Sequence, residues 1–181
     1  MEVIKTAFDG LLVFQPKVYR DDRGYFFEYF RKDILNKNGI NFEFVQSNES
    51  LSQKNVLRGL HFQNPPFEQG KYIRVIKGAV LDVTLDIRIN SQTYGQWFSC
   101  ELNETNKTIL WIPPGFAHGF LTLADDTIFQ YECTNVYNKD SEASIRWNDP
   151  DLNIDWKVKD PILSEKDKNA SFFKDFVSKF S

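Results

Sequence analysis

His61 and His118 are the only histidines in this chain, and histidine is the side chain whose ordinary titration falls near neutral pH. Facing a cavity, such a group can take up and return a proton without large tuning, so each is a candidate general base. His61 lies in LRGLHFQ (57–63), three residues after Arg58, with Lys71 and Arg74 on the next segment. Grouped cations fit an anionic ligand such as a diphosphate, because the planar guanidinium makes paired hydrogen bonds to it. A plainer reading stands beside this one. An isolated strand histidine is commonly a hydrogen-bonded core or surface group, and charges at this spacing commonly line a solvated face. Strict alternation also puts Arg58 and His61 on opposite faces of a strand. Either Gly59 hosts a bulge that relaxes the alternation, or Arg58 reaches the site from a strand end or subunit interface.

His118 follows the turn residues Pro113, Pro114 and Gly115 in WIPPGFAHGF (111–120). This P-x-G-x-x-H pattern resembles the second motif of the cupins, jelly-roll barrels that often hold a metal through histidines. Metal-binding cupins carry H-x-H where this chain reads HFQ, so Gln63 replaces a ligand. His61, His118 and Glu68 could still form the two-histidine, one-carboxylate set of non-haem iron sites. Cys100 and Cys133 have no C-x-x-C spacing and no ligand cluster near them, which argues against structural zinc.

Short strands must position these residues. AVLDVTLDIR (79–88) alternates Leu81, Val83, Leu85 and Ile87 with Asp82, Thr84, Asp86 and Arg88. TIFQYECTNVY (127–137) alternates as well, which predicts one shared face for Phe129, Tyr131, Cys133, Asn135 and Tyr137. Turn signals at DDRG, QNPP, RINSQTYG, IPPG and NDPD separate such segments, the spacing of an antiparallel sandwich or barrel. Helical spacing predicts a short helix in 31–39, ending at Gly39, and a C-terminal helix over 164–180. The latter would dock Phe172, Phe173, Phe176, Val177 and Phe180 on the sheets. The expected class is therefore all-β, an antiparallel sandwich or barrel with a few short helices, forming one domain over 1–181.

Composition bounds the partners. Net charge is −3, which leaves no domain-wide basic surface for nucleic acid. No apolar run is long enough for a membrane span, and the N-terminus lacks a signal-peptide layout. Reduced thiols and the cytoplasm are the expected setting. The 17 phenylalanines are unusual and predict an aromatic core, with some available to an interface between copies.

Seven stretches, taken in order, resemble the dTDP-4-dehydrorhamnose 3,5-epimerase family of cupins. They are RGYFFE (23–28), VQSNESLSQKNVLRGLHFQ (45–63), GKYIRVIKGAVLDVTLDIR (70–88), SQTYGQW (91–97), LWIPPGFAHGF (110–120), IRWNDPDLNIDW (145–156) and PILSEKD (161–167). The resemblance implies a cupin jelly roll, usually homodimeric and without metal or other cofactor, acting on dTDP-4-dehydro-6-deoxy-D-glucose in dTDP-L-rhamnose synthesis. It implies His61 as general base oriented by Asp167, Tyr131 as the acid, and Lys71 as the cation beside the 4-keto oxygen. Arg23, Glu28, Gln46, Ser47, Asn48, Arg58, His118, Glu142 and Lys166 fall at substrate-binding positions, and Tyr137 falls where a ring stacks on thymine. Gln63 also matches the family, which weakens the case for metal. Tyr131 and Asp167 have ordinary alternatives, a packed strand aromatic and a helix-start charge.

Overall fold

Alternating strands whose two faces are both buried need cover on both sides, and that requirement shapes the architecture. The computed structural model describes all 181 residues. Its strands are β1 (Glu2–Lys5), β2 (Leu12–Gln15), β3 (Tyr19–Asp21), β4 (Gly24–Phe26), β5 (Gln46–Ser52), β6 (Leu57–Gln63), β7 (Lys71–Lys77), β8 (Ala79–Asp86), β9 (Trp97–Asn103), β10 (Ile109–Ile112), β11 (Phe116–Thr122), β12 (Thr127–Cys133) and β13 (Glu142–Ser144). Two short helices, α1 (Lys32–Lys37) and α2 (Glu165–Lys168), complete the regular structure with a 3-10 turn at Phe173–Asp175.

A six-stranded sheet runs β1-β2-β10-β7-β12-β5 and a five-stranded sheet runs β13-β6-β11-β8-β9. β3 and β4 form a separate hairpin. The apolar residues sort into three layers. Ile73, Val75, Leu110, Phe120 and Phe129 fill the space between the sheets. Leu12, Phe14, Tyr72 and Trp111 cover the outer face of the larger sheet under Leu35 of α1. Leu57, Leu60, Val83, Leu85, Trp156 and Phe180 cover the outer face of the smaller one. Three layers need many large apolar groups, which accounts for much of the phenylalanine; burying one such side chain contributes about 1.5 to 3 kcal/mol.

The C-terminal helix predicted over 164–180 does not form. α2 ends at Lys168 with Asn169 as its cap. The chain beyond is drawn into pairing with the smaller sheet, Ser171 bridging Ile145 and Phe180 bridging Arg88. Sheet contacts override a modest helical propensity. The aromatics dock as expected, Phe176 packing edge-on against Phe62 at 5.2 Å, but Val177 is 82% exposed. In the first helix the cap is Asn38, and Gly39 follows it with φ +83°. β12 stops at Cys133, so Asn135 and Tyr137 do not continue its alternation.

Candidate active site

Gly59 decides how LRGLHFQ can serve one site. Against β11, His61 pairs with His118 and Arg58 with Phe120, so three steps on β6 oppose two on β11. That extra residue is a bulge, and it turns Arg58 and His61 toward the same hollow. Only glycine fits there: φ is +140°, and a Cβ would lie 2.5 Å from Gly119 Cα.

The site is a cleft in the mouth of the barrel with two contiguous parts sharing His61, Lys71 and Tyr131. The outer part, about 360 Å3, is also lined by Gln46, Asn48, Tyr137 and Glu142. The inner part, about 170 Å3, adds Arg58 and His118. β6 belongs to one sheet and β7 and β12 to the other, so His61 faces Lys71 and Tyr131 from the opposite wall.

His61 Nε2 lies 2.5 Å from Asp167 Oδ1. Asp167 is 2% exposed and sits in the first turn of α2, where Ser164 Oγ accepts from its backbone N–H and donates to its Oδ2. Its Oδ1 also accepts from Gly59 N–H at 3.4 Å. Burial works to raise the Asp167 pKa, but hydrogen bonds from His61 and Ser164 outweigh it and hold the group ionised below the usual range. An ionised carboxylate only accepts, so Nε2 carries the ring proton and Nδ1 is left as a base. Burial lowers the pKa of His61 below its ordinary 6.5, against the pull of Asp167, and the ring is neutral at pH 7.

Burial raises the Tyr131 pKa, so its hydroxyl stays protonated. Burial likewise lowers that of Lys71, whose Nζ stands 5.9 Å from the centre of the Tyr131 ring. The carboxylate contacts at the cleft are the His61–Asp167 and His118–Asp82 hydrogen bonds and the Lys166–Glu142 ion pair. They leave Arg58 and Lys71 without a carboxylate, and Arg58 rests on Ser52 Oγ at 3.1 and 3.3 Å. Two unpaired cations in a cleft suit an anion.

Several expected residues lie elsewhere. Arg74 turns to the opposite face of β7, bonding Gln130 and capping the Tyr29 ring at 3.9 Å, so it does not join the cation cluster. Ser47 points outward to Glu132. Lys166 stands at the rim, beside Glu142. Arg23 pairs with Asp21 on the β3–β4 hairpin and Glu28 with Arg31, both away from the cleft. Glu68 is absent from its lining, and no three His, Cys, Asp or Glu side chains converge, so the His61, His118 and Glu68 ligand set does not assemble. Two partners were missed from the sequence. Asp82, on the polar side of β8, holds His118 Nε2 at 2.8 Å, and Gln69, two residues before Lys71, lines the outer part. Alternation along AVLDVTLDIR marks the position of Asp82, though not its partner, whereas Gln69 lies before β7, outside any strand, and carries no such signal.

Two packed antiparallel sheets with a histidine–carboxylate pair, a phenol and a lysine lining one cleft define a cupin-type jelly roll. A family model described as dTDP-4-dehydrorhamnose 3,5-epimerase matches residues 5–175, and the chain belongs to that family. It is 50% identical over 169 residues to the dTDP-4-dehydrorhamnose 3,5-epimerase of Methanothermobacter thermautotrophicus, covering 92% of this chain and 91% of the relative. The Legionella pneumophila dTDP-6-deoxy-D-glucose-3,5-epimerase, solved with dTDP-4-keto-L-rhamnose, superposes with a TM-score of 0.93 at 44% identity, over 97% of this chain and 94% of the other. A 3'-monoepimerase from Streptomyces bikiniensis, solved with dTDP-quinovose, shares the fold at a TM-score of 0.87 and 32% identity, over 92% of this chain and 85% of the other. No helix of the chain is long and apolar enough to cross a membrane.

Proposed function

We propose that the chain inverts C3 and C5 of dTDP-4-dehydro-6-deoxy-D-glucose to give dTDP-4-dehydro-L-rhamnose, by proton removal on one face and return on the other. The observation that carries this reading is the neutral, carboxylate-backed His61 facing the protonated Tyr131 across one cleft. His61 Nδ1 takes the proton from a carbon beside the 4-keto group, and the C–H electron pair moves into the carbonyl as an enolate. Lys71 Nζ holds the enolate oxygen; one such donor contributes about 3 to 4 kcal/mol in the transition state. Tyr131 then delivers its hydroxyl proton to the same carbon from the opposite face, inverting it. His61 and the phenolate return to their starting states by exchange with solvent, and the cycle repeats at the second carbon. Arg58 suits the diphosphate, His118 the sugar, and Tyr137 with Gln46 and Glu142 the nucleoside end.

Arg23 and Glu28 fit this reading through a homodimer in which they complete the cleft of a second copy. Tyr19, Tyr25 and Phe26 beside them are 55%, 53% and 66% exposed, a patch suited to such an interface. The cytoplasm is the compartment that suits two unpaired cysteines.

Incubation with the dTDP-4-keto sugar in deuterated water tests the activity. Two deuterons in the inverted product support it. One deuteron assigns the chain to single-carbon epimerisation, the reaction named for the Streptomyces bikiniensis neighbour, and no uptake overturns both.

A further inference from the structure

Tyr137 presents a ring that is 54% exposed, on a segment after β12 with no strand or helix of its own. Its hydroxyl donates to Glu142 Oε2 at 3.2 Å at the far end of the ring, and the backbone beneath sets where the ring starts from. That backbone is held by side-chain amides. Gln63, 5% exposed at the end of β6, accepts from Asn138 N–H at 2.7 Å and donates to Val136 O at 3.1 Å, gripping the chain on both sides of Tyr137. Its second donor goes to Phe67 O at 2.6 Å. Gln46 accepts from Tyr137 N–H itself at 2.7 Å.

We infer that Gln63 is a positioning residue that aims the Tyr137 ring at a pyrimidine base; this rests on the nucleotide-sugar reading above. An exposed ring on a pre-ordered backbone loses little freedom when a base stacks on it, and that saving appears as affinity. The position at which metal-binding relatives of this fold carry a ligand here organises a nucleobase platform.

Binding of dTDP by calorimetry, with steady-state kinetics on the dTDP-4-keto sugar, tests this in a double-mutant cycle of Gln63→Met and Tyr137→Ala. Gln63→Met should raise the dTDP Kd and the KM about tenfold with kcat held within about twofold. In the Tyr137→Ala background the same substitution should change Kd by less than about twofold, because the ring it positions is gone. An unchanged Kd in Gln63→Met, or an undiminished tenfold loss in the Tyr137→Ala background, overturns the inference while leaving the proposed function intact. A wild-type chain that does not bind dTDP overturns both. If circular dichroism shows Gln63→Met unfolded, Gln63→Asn, one methylene shorter and still polar, is scored by the same criteria.

Discussion

Asp167→Asn isolates the charge of the carboxylate from its geometry. In the native chain Oδ1 accepts from His61 Nε2 and from Gly59 N–H, while Oδ2 accepts from Ser164 Oγ. An asparagine keeps this arrangement by placing its oxygen toward His61 and Gly59 and donating its amide to Ser164 Oγ. The tautomer of His61 is therefore retained, and the imidazolium formed on proton abstraction loses only its counter-charge. Charge centres about 4 Å apart at an effective dielectric of about 20 attract by roughly 4 kcal/mol, and a loss of that size lowers kcat about 10^3-fold. A flipped tautomer would cost on the order of 10^4-fold instead. The pH dependence has a defined sign. Burial already places the His61 pKa below 6.5 and Asp167 pulls it back up, so removing that charge lets it fall further. The acid limb of kcat/KM should then move to lower pH while the plateau drops. Initial rates from pH 4.5 to 8, followed by deuterium uptake, measure both effects. A variant within tenfold of wild type, or an acid limb displaced to higher pH, refutes the reasoning.

Tyr131→Phe keeps the ring beside Phe129 but removes the opposite-face donor. Turnover should fall about 10^2 to 10^4-fold, with deuterium entering recovered, uninverted substrate through His61; inversion at the native rate would contradict the assignment. Gly59→Ala drives a methyl against Gly119 Cα at the bulge. A destabilisation of about 3 kcal/mol lowers Tm by roughly 6 to 12 °C, read by calorimetry, and an unchanged Tm would show that the bulge tolerates a side chain. Mixing inactive Arg23→Ala with inactive His61→Ala protein tests the shared site. If each cleft takes Arg23 from its neighbour, mixed dimers hold one intact cleft and activity returns to about a quarter of wild type; no recovery would place Arg23 in its own chain's cleft or outside it.

Much of the site was legible because strand chemistry has a short period. Alternation alone puts Phe129, Tyr131 and Cys133 on one side of β12, and the Pro-Pro-Gly turn sets the start of β11 before His118. The family pattern then raised Tyr131 and Asp167 from ordinary packing and capping residues to candidates for chemistry. Arg74 shows the limit from the other side: near Lys71 in the chain, three residues apart, it is turned away by the same alternation. The long C-terminal helix does not form, although its aromatics fall at helical spacing, because pairing with Ile145 and Arg88 draws the segment out along the sheet.

By itself the sequence determined the strand pattern and the class of fold, since these depend on local period and residue type, and its family pattern nominated the candidate reactive groups. Tertiary structure alone decided which groups meet. The glycine bulge brings Arg58 and His61 to one hollow, and the first turn of α2, 108 residues after Gly59, delivers the carboxylate that holds His61 in its basic tautomer. Contacts over such separations arise from how the two sheets and the C-terminal segment pack, which no stretch of sequence short enough to show a period can express.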